Sequence, residues 1–298
     1  MLREDAIPAD FTEAPPHISE FRRLVRVLFS RWIVVIGLII ILATVIAAIF
    51  APQLAPYDPY KTNLKEALAN PSGEHLLGTD ALGRDTLSRM TYGARTALLV
   101  GLVAVGIAAI SGIIMGLLAG YFGGWVHAVI MRFVDALMAF PLLVTALVLA
   151  VLLGGGLQNV MIAVGIGLSA TYARVMCGLA LSVKQNDYVL AARASGAGNM
   201  RIMIRHILPN CFPPIIVLIT LQLGGAIMIE AALSYLGIGI APPGAAWGSM
   251  VSDGYKYLLT HPVLALVPGV AIVLVVYAFN MVGDGLRDAL DPRLRGTL

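Results

Sequence analysis

Long apolar runs dominate the pattern of hydrophobic and polar positions along the chain. The first, Ile33 to Phe50, carries no charge and at about 1.5 Å per residue covers roughly 27 Å, close to the thickness of a bilayer's hydrocarbon core. Further runs occupy 96–125, 136–173, 213–233 and 262–283. Residues 136–173 are too many for one crossing, and three consecutive glycines at 154–156 divide them into two helices. The pattern therefore predicts an all-α membrane protein with six transmembrane helices.

These runs divide the chain into five segments. They are a cytoplasmic tail over 1–30 with an amphipathic helix that lies on membrane lipid, a first transmembrane helix over 31–51, an extracytoplasmic loop over 52–95, a core of five transmembrane helices over 96–283, and a cytoplasmic tail over 284–298. We expect Pro213 and Pro214 to open the fifth transmembrane helix, because proline is tolerated in a first turn. Pro141 and Pro268 are expected to kink the third and the sixth.

The basic residues predict the orientation of the chain in the membrane. Of the 20 Lys and Arg residues, 14 fall in the two tails and the alternate loops between them, and 6 fall in the other loops. Because basic residues accumulate on the cytoplasmic side, both termini are expected to be cytoplasmic.

Composition excludes several classes of protein. With 59% hydrophobic and 12% charged residues and a mean hydropathy of +0.87, the chain is too apolar for a soluble enzyme. The net charge of +3 is too small to indicate nucleic acid as a partner. No phosphate-binding G-x-x-x-x-G-K-[ST] loop, zinc-binding H-E-x-x-H pair or G-x-S-x-G nucleophile elbow occurs in the sequence. We therefore expect no catalytic residues, no metal site and no cofactor bound by this chain.

Residues 187–209 form the most informative segment between the apolar runs. Asp187 and Asn199 are suited to cap two short helices, and Gly196 and Gly198 permit a sharp turn between them. The second helix, which contains Met200, Ile202, Met203 and Ile204, is expected to end before Pro209 and is unusually apolar for a cytoplasmic loop. This composition favours docking into a groove on another protein, and a plain linker is the alternative.

The same segment resembles the EAA loop of ABC importer permeases. The resemblance lies in Ala191-Ala192, in Gly196 four positions later and in Leu208-Pro209, although Leu190 stands in place of the glutamate. Three further stretches resemble the dipeptide and oligopeptide subfamily of the DppC/OppC type: Leu77-Gly-Thr-Asp-Ala-Leu-Gly-Arg-Asp-Thr-Leu-Ser-Arg89, Ala231-Ala-Leu-Ser-Tyr-Leu-Gly-Ile-Gly239 and Asn280-Met-Val-Gly-Asp-Gly-Leu-Arg-Asp-Ala-Leu-Asp-Pro292.

This resemblance implies a type I ABC importer permease fold in a bacterial inner membrane, with a cytoplasmic coupling helix. It implies as partners a homologous second permease subunit, two ABC ATPase subunits that hold the ATP and Mg²⁺, and an extracytoplasmic substrate-binding protein. The residues implied in coupling to the ATPase are Ala191, Ala192, Arg193, Gly196, Ala197, Arg201, Arg205, His206 and Pro209. The small residues would permit close approach, and the arginines would pair with acidic groups on the ATPase.

A few charges fall within or beside the apolar runs, where each needs a partner or water. Arg132 and Asp135 are three residues apart, a pairing distance on a helix, and Arg174 is an alternative partner for Asp135. Glu230 has no basic neighbour in sequence. It either lines a water-filled part of the translocation path or forms a hydrogen bond to a neighbouring helix.

The expected function is that of a permease subunit in an ATP-driven importer of dipeptides or oligopeptides, which is not itself an enzyme. Nickel chelates, glutathione and opines are alternative cargoes for the same machinery. A different class, a proton-coupled secondary transporter, would use Asp135 or Glu230 as its proton carrier.

Overall fold

The computed structural model describes residues 28–240 and 243–290, which fold almost entirely into helices. The α-helices are α1 (Trp32–Ile49), α2 (Ala51–Leu54), α3 (Thr86–Phe122), α4 (Gly124–Met138), α5 (Leu142–Leu152), α6 (Leu157–Val183), α7 (Asp187–Ala194), α8 (Asn199–Ile202), α9 (Leu208–Tyr235), α10 (Trp247–Tyr255) and α11 (Val263–Leu290). A 3₁₀ turn covers Leu64–Glu66, and a π-helical turn at Met203–Ile207 joins α8 to α9. These ranges contain no strand, so the all-α prediction is confirmed.

Five helical segments in these ranges are long and apolar enough to cross a membrane: α1, α3, α6, the continuous stretch Asn199–Tyr235, and α11. The axes of α4 and α5 meet at an angle of 94°, and this pair supplies a sixth crossing if the two helices count as one broken span. Pro141 lies at the start of α5, where its missing N–H breaks the hydrogen-bond ladder. The kink expected at this proline is therefore confirmed, and the number of crossings equals the predicted six when α4 and α5 are counted as one span.

The core is built around α3 and α6, which pack with little space between their backbones. A Cβ atom at Gly112, Gly116 or Gly120 of α3 would overlap with α6. Glycines spaced by four residues form one face of a helix, so this face admits the neighbouring backbone. Alanine and valine side chains from both helices fill the rest of the contact. The three glycines thus allow α3 and α6 to pack closely within this chain.

The opposite side of the bundle is formed by α9, α11 and α1. Gly224 of α9 lies against α11, and Gly37 of α1 lies against the Ala278 carbonyl of α11. Of the five long helical segments, α1 is the most peripheral, because only 17% of its 18 residues are buried.

The two ends of the bundle carry different structures. At one end, residues 52–85 form a cap over the start of α3, and the indole Nε1 of Trp247 in α10 donates to the Met90 carbonyl at 3.0 Å. At the other end lie α7 and α8. We call residues 187–209 the coupling segment and this side the coupling end. An ion pair between Arg31, just before α1, and Asp288 near the end of α11 places both helix termini at the coupling end.

Several helix boundaries differ from the predicted ones. Helix α3 begins at Thr86 instead of 96, because Asp85 caps it by accepting a hydrogen bond from the Ser88 N–H at 2.7 Å. Pro213 and Pro214 lie inside α9 instead of opening it. Helix α11 runs through Pro268 and past 283 to Leu290, with Arg287 in its last turn. The amphipathic helix expected within 1–30 lies almost wholly outside the described residues.

Candidate functional site

Helix α7 ends in a turn that depends on Gly196. The Gly196 N–H bonds to the Arg193 carbonyl at 3.0 Å and the Ala197 N–H to the Ala192 carbonyl at 3.1 Å, the pattern of a Schellman motif. Gly196 has φ of +80°, and nothing lies within 4 Å of the position of a Cβ. The glycine is thus required by backbone conformation alone, and it turns the chain from α7 into α8.

The apolar residues of the coupling segment divide between two environments. Ile202 and Met203 are buried with Leu117 and Met176, so they pack into the bundle of this chain. Met200 and Ile204 are 66% and 54% exposed. The segment is consequently anchored to its own subunit on one side and presents apolar side chains on the other, where a partner can bind.

The structure brings five of the nine predicted coupling residues to one cavity. Its volume is about 250 Å³, and it is lined by Ala192, Ser195, Gly196, Ala197, Arg201 and His206. Three of the other predicted residues, Ala191, Arg205 and Pro209, are exposed and do not line this cavity. The cavity is open to the solvent at the coupling end and carries the positive charge of Arg201.

Tyr121, at the end of α3, anchors the coupling segment, and sequence analysis missed this residue. Its hydroxyl donates to Asn199 Oδ1 at 2.8 Å, and its carbonyl accepts a hydrogen bond from Lys184 Nζ at 2.5 Å. The guanidinium of Arg193 lies 5.8 Å from the centre of the tyrosine ring. Arg193, predicted as an ATPase contact, therefore also packs on its own subunit. The only signal in the sequence was an aromatic residue at the end of an apolar run.

A second connection joins the coupling segment to α9 without a break. The predicted end of the second short helix before Pro209 is wrong, because the helix continues through the π-helical turn Met203–Ile207. A wider turn relieves the clash between the Pro209 ring and the carbonyl four residues earlier. The Asn210 side chain donates to the His206 carbonyl at 2.7 Å. Helix α8, the π-helical turn and α9 thus form one continuous helical stretch, Asn199–Tyr235.

The predicted charge pair of Arg132 and Asp135 is not formed. Asp135 instead pairs with Arg174 of α6, the alternative partner. Met131 and Val134 of α4 pack against α6, and this places the neighbouring Asp135 beside Arg174. The pair is about half exposed, with side-chain exposures of 48% and 51%, so its role is to position α4 and α6 more than to add stability.

Glu230, predicted to line the translocation path, is enclosed within this subunit. The side chain is 2% exposed, and its Oε1 accepts a hydrogen bond from the Ser234 hydroxyl at 2.6 Å on the same helix. The predicted alternative was a hydrogen bond to a neighbouring helix. The observed bond instead joins two residues one turn apart on α9.

A polar cluster in the cap holds the start of α3. His75 Nδ1 lies 2.8 Å from Asp85 Oδ1, and His75 Nε2 lies 3.4 Å from Glu66 Oε2. The hydrogen bond to Asp85 is the largest cause that raises the pKa of His75 above its ordinary value of 6.5, while burial acts in the opposite direction. Since Asp85 also caps α3, His75 connects the cap to the longest helix of the bundle.

Arg89 connects the cap to the chain before α10. Its two terminal nitrogens donate to the carbonyls of Pro59, Pro243 and Gly244 at 3.2 to 3.3 Å. The guanidinium is almost completely buried, and Asp80 Oδ2 lies 3.5 Å from its Nε. A buried arginine that binds three carbonyls fixes the relative positions of the segments that supply them.

Comparison with known proteins gives matches over almost the whole chain. Residues 112–296 match the family described as binding-protein-dependent transport system inner membrane component, and residues 19–71 match the N-terminal TM domain of oligopeptide transport permease C. The chain is 42% identical to the dipeptide transport system permease protein DppC of Alkalihalophilus pseudofirmus, over 93% of this chain and 91% of that protein.

Two more relatives and one solved structure extend this comparison. The oligopeptide transport system permease protein OppC of Bacillus subtilis is 42% identical over 89% of this chain and 87% of its own length. The glutathione transport system permease protein GsiD of Pectobacterium atrosepticum is 41% identical over 87% and 86%. A chain of the MetNI methionine ABC transporter has a similar fold, with a TM-score of 0.55 at 20% identity over 68% of this chain and 96% of that one.

Proposed function

Because this chain belongs to the family of binding-protein-dependent transport system inner membrane components, we propose that it is a permease subunit of an ATP-driven importer of dipeptides or oligopeptides. Members of this family are transport subunits, and the chain is not an enzyme. The observation that carries the proposal is the coupling segment, which is rigidly joined to the bundle on one side and exposed on the other.

The complete machine comprises this chain, a homologous second permease, two ATPase subunits that bind ATP and Mg²⁺, and an extracytoplasmic binding protein. In this arrangement the coupling end faces the cytoplasm and the cap faces outward in a bacterial inner membrane. The ion pair between Arg31 and Asp288 supports the placement of both ends of the chain on the same side of the membrane. The excess of basic residues supports the cytoplasm as that side.

Alternating access follows from the way the coupling segment is held. Closure of the ATPases on ATP would push Met200, Ile204 and the small residues around Gly196. The displacement passes into α9 through the continuous helix and into α3 through Tyr121. Because both helices cross the bundle, a movement at the coupling end reaches the cap end and opens the path to the delivered peptide.

Peptides fit the relatives better than the other cargoes considered. The similar proteins are named for dipeptides, oligopeptides and glutathione, and glutathione is itself a small peptide. All of these molecules carry a free carboxylate. The selection among them belongs in large part to the binding protein that delivers the cargo.

The test is purification of the tagged chain in mild detergent, followed by reconstitution of whatever remains bound. We expect a second permease and two ATPase subunits, and uptake of labelled peptide that requires ATP and a binding protein. Isolation of the chain alone or as a homo-oligomer, even after gentle crosslinking, would contradict the proposal.

A further inference from the structure

Two cavities at the cap end share three charged residues. The larger, about 580 Å³, lies between the glycine turn at 154–156 and the chain that leads from α9 into α10. The smaller, about 270 Å³, lies between the cap and α10. Both are lined by Arg84, Arg89 and Asp253. The larger volume suits a small molecule.

Arg84 is buried in this wall and has unused donors. The residue is 5% exposed, and its Nε donates to Asp80 Oδ2 at 2.6 Å. Within residues 28–240 and 243–290, its two terminal nitrogens donate to no protein acceptor. These nitrogens face the cavities, where they can donate to an anionic ligand in place of water.

Thr86 is a further residue of this wall. It is 1% exposed and lines the smaller cavity, and its hydroxyl oxygen has no hydrogen-bond partner among the described residues. The oxygen atom itself is enclosed by protein, so it is an unsatisfied group of the wall and not a ligand contact.

The charges of the two cavities favour a ligand with both signs. Three basic side chains, Arg84, Arg89 and Lys256, face two acidic ones, Asp80 and Asp253. Arg89 is engaged by backbone carbonyls, and Asp80 is engaged by the two arginines. Asp253 is exposed and forms no ion pair with any part of the chain that the structure describes. Two cationic groups, Lys256 and the terminal nitrogens of Arg84, and one anionic group, Asp253, thus remain available.

We propose that these cavities form a peptide-binding site, in which Arg84 pairs with the terminal carboxylate of the peptide and Asp253 with its ammonium group. The proposal rests on the proposed function. The site would receive a peptide at the cap end of the permease before it crosses the bundle.

The test uses the complete transporter in lipid nanodiscs, without ATP and without the binding protein. Calorimetry compares alanyl-alanine with its C-terminal amide. We expect the free acid to bind at least tenfold more tightly, and Arg84→Gln to abolish this preference. Arg95→Gln is the matched control, because Arg95 is exposed on α3 and lines neither cavity, and it should leave the preference unchanged.

A second variant guards against misfolding, since Arg84 also pairs with Asp80. Asp253→Asn changes an exposed side chain, and it should abolish the preference for alanyl-alanine over its N-acetyl derivative. Equal binding of the acid and the amide by the unaltered transporter, or an unchanged preference in both variants, would overturn the site.

A different outcome would identify another occupant. If no peptide binds but Arg84→Gln weakens the stimulation of ATPase activity by the binding protein, the cavities serve docking of that protein and the proposal is wrong. ATP-dependent uptake by the unaltered transporter is measured in parallel, so that failure of the site is distinguished from failure of the peptide-importer function.

Discussion

At the scale of single residues, the shape of the coupling segment depends on two residues, one a glycine and the other a tyrosine. Gly196 has a backbone conformation that other residues adopt only at a cost, and Tyr121 contributes a hydroxyl at the point where three segments meet. Both determine where the exposed residues Met200 and Ile204 are presented. Changes at either position should therefore affect coupling more than they affect the fold.

Gly196→Ala isolates the cost of the positive φ. A left-handed conformation costs an alanine about 1 kcal/mol, and no atom obstructs the added methyl group. We expect ATP-driven peptide uptake to fall about fivefold while the transporter remains assembled. Gly198→Ala is the control, because Gly198 has φ of −67° and equally open space. Similar losses in both variants would show that the conformation of Gly196 is unimportant.

Tyr121→Phe removes one hydrogen bond and keeps the ring. The loss of the bond to Asn199 should cost about 1 kcal/mol and speed amide hydrogen exchange across residues 184–202 several-fold. Tyr172→Phe is the matched control, because the Tyr172 hydroxyl is buried and has no partner among the described residues. That control should be neutral or slightly stabilising. Unchanged exchange in Tyr121→Phe would mean that the hydroxyl does not hold the segment.

At the scale of elements, the cap is attached to α3 by a titratable group. His75 contacts Asp85 and Glu66, and the ring of Tyr57 lies 4.7 Å from its own. A histidine whose pKa is raised in the folded state stabilises the fold fully below its unfolded pKa of about 6.5. That contribution is lost as the pH rises through the higher folded value.

His75→Gln should therefore lower the melting temperature most at about pH 5.5, and the difference should shrink as the pH rises above neutrality. Thermal unfolding of the purified transporter from pH 5.5 to 8.5 measures this difference. Asp85→Asn keeps a capping oxygen for α3 but removes the charge that faces His75. In that background the pH dependence of the His75→Gln effect should be reduced. A difference that grows with pH would contradict the assigned pairing.

The helices were predictable from the sequence to the extent that each depends on local composition. The uncharged run Ile33 to Phe50 gave α1 almost to the residue, because lipid requires an apolar and hydrogen-bonded segment. The start of α3 was misplaced because Arg89 and Arg95 resemble loop residues, although the cap shelters Arg89. The prolines at 213 and 214 suggested a helix start, whereas α9 begins at Leu208, before both of them.

Contacts between distant segments could not be predicted in the same way. Arg132 is three residues from Asp135, but the partner is Arg174, 39 residues away, because α4 packs against α6. The meeting of Tyr121 with Asn199 spans 78 residues, and no spacing rule links them. Motif resemblance located the coupling segment, and only the packed bundle shows which side of it is exposed.

At the scale of the whole molecule, α3 connects the two functional regions. With 37 residues it is about 55 Å long, and it carries Arg89 near one end and Tyr121 near the other. The coupling segment and the proposed peptide site therefore lie at opposite ends of one helix. A rigid displacement of α3 would change both sites together, as alternating access requires.

The buried position of Glu230 bears on the energy source of transport. A proton carrier must exchange with water on each side in turn, whereas Glu230 is enclosed and bonded to Ser234. We expect Glu230→Gln to retain ATP-driven uptake within about twofold, because the amide oxygen can still accept this hydrogen bond. Uptake into proteoliposomes with ATP, with and without a proton gradient, measures this. Loss of a gradient-dependent uptake in the variant would favour the proton-coupled mechanism.

The glycine face between α3 and α6 also determines the order in which the nascent chain can be assembled. Helix α3 leaves the ribosome before α4 and α5, and its partner α6, which begins at Leu157, leaves after them. Until then, the glycines at 112, 116 and 120 face lipid, which cannot fill the shallow groove as closely as the backbone of α6 does. We therefore expect the close contact between α3 and α6 to form only after α6 has been inserted.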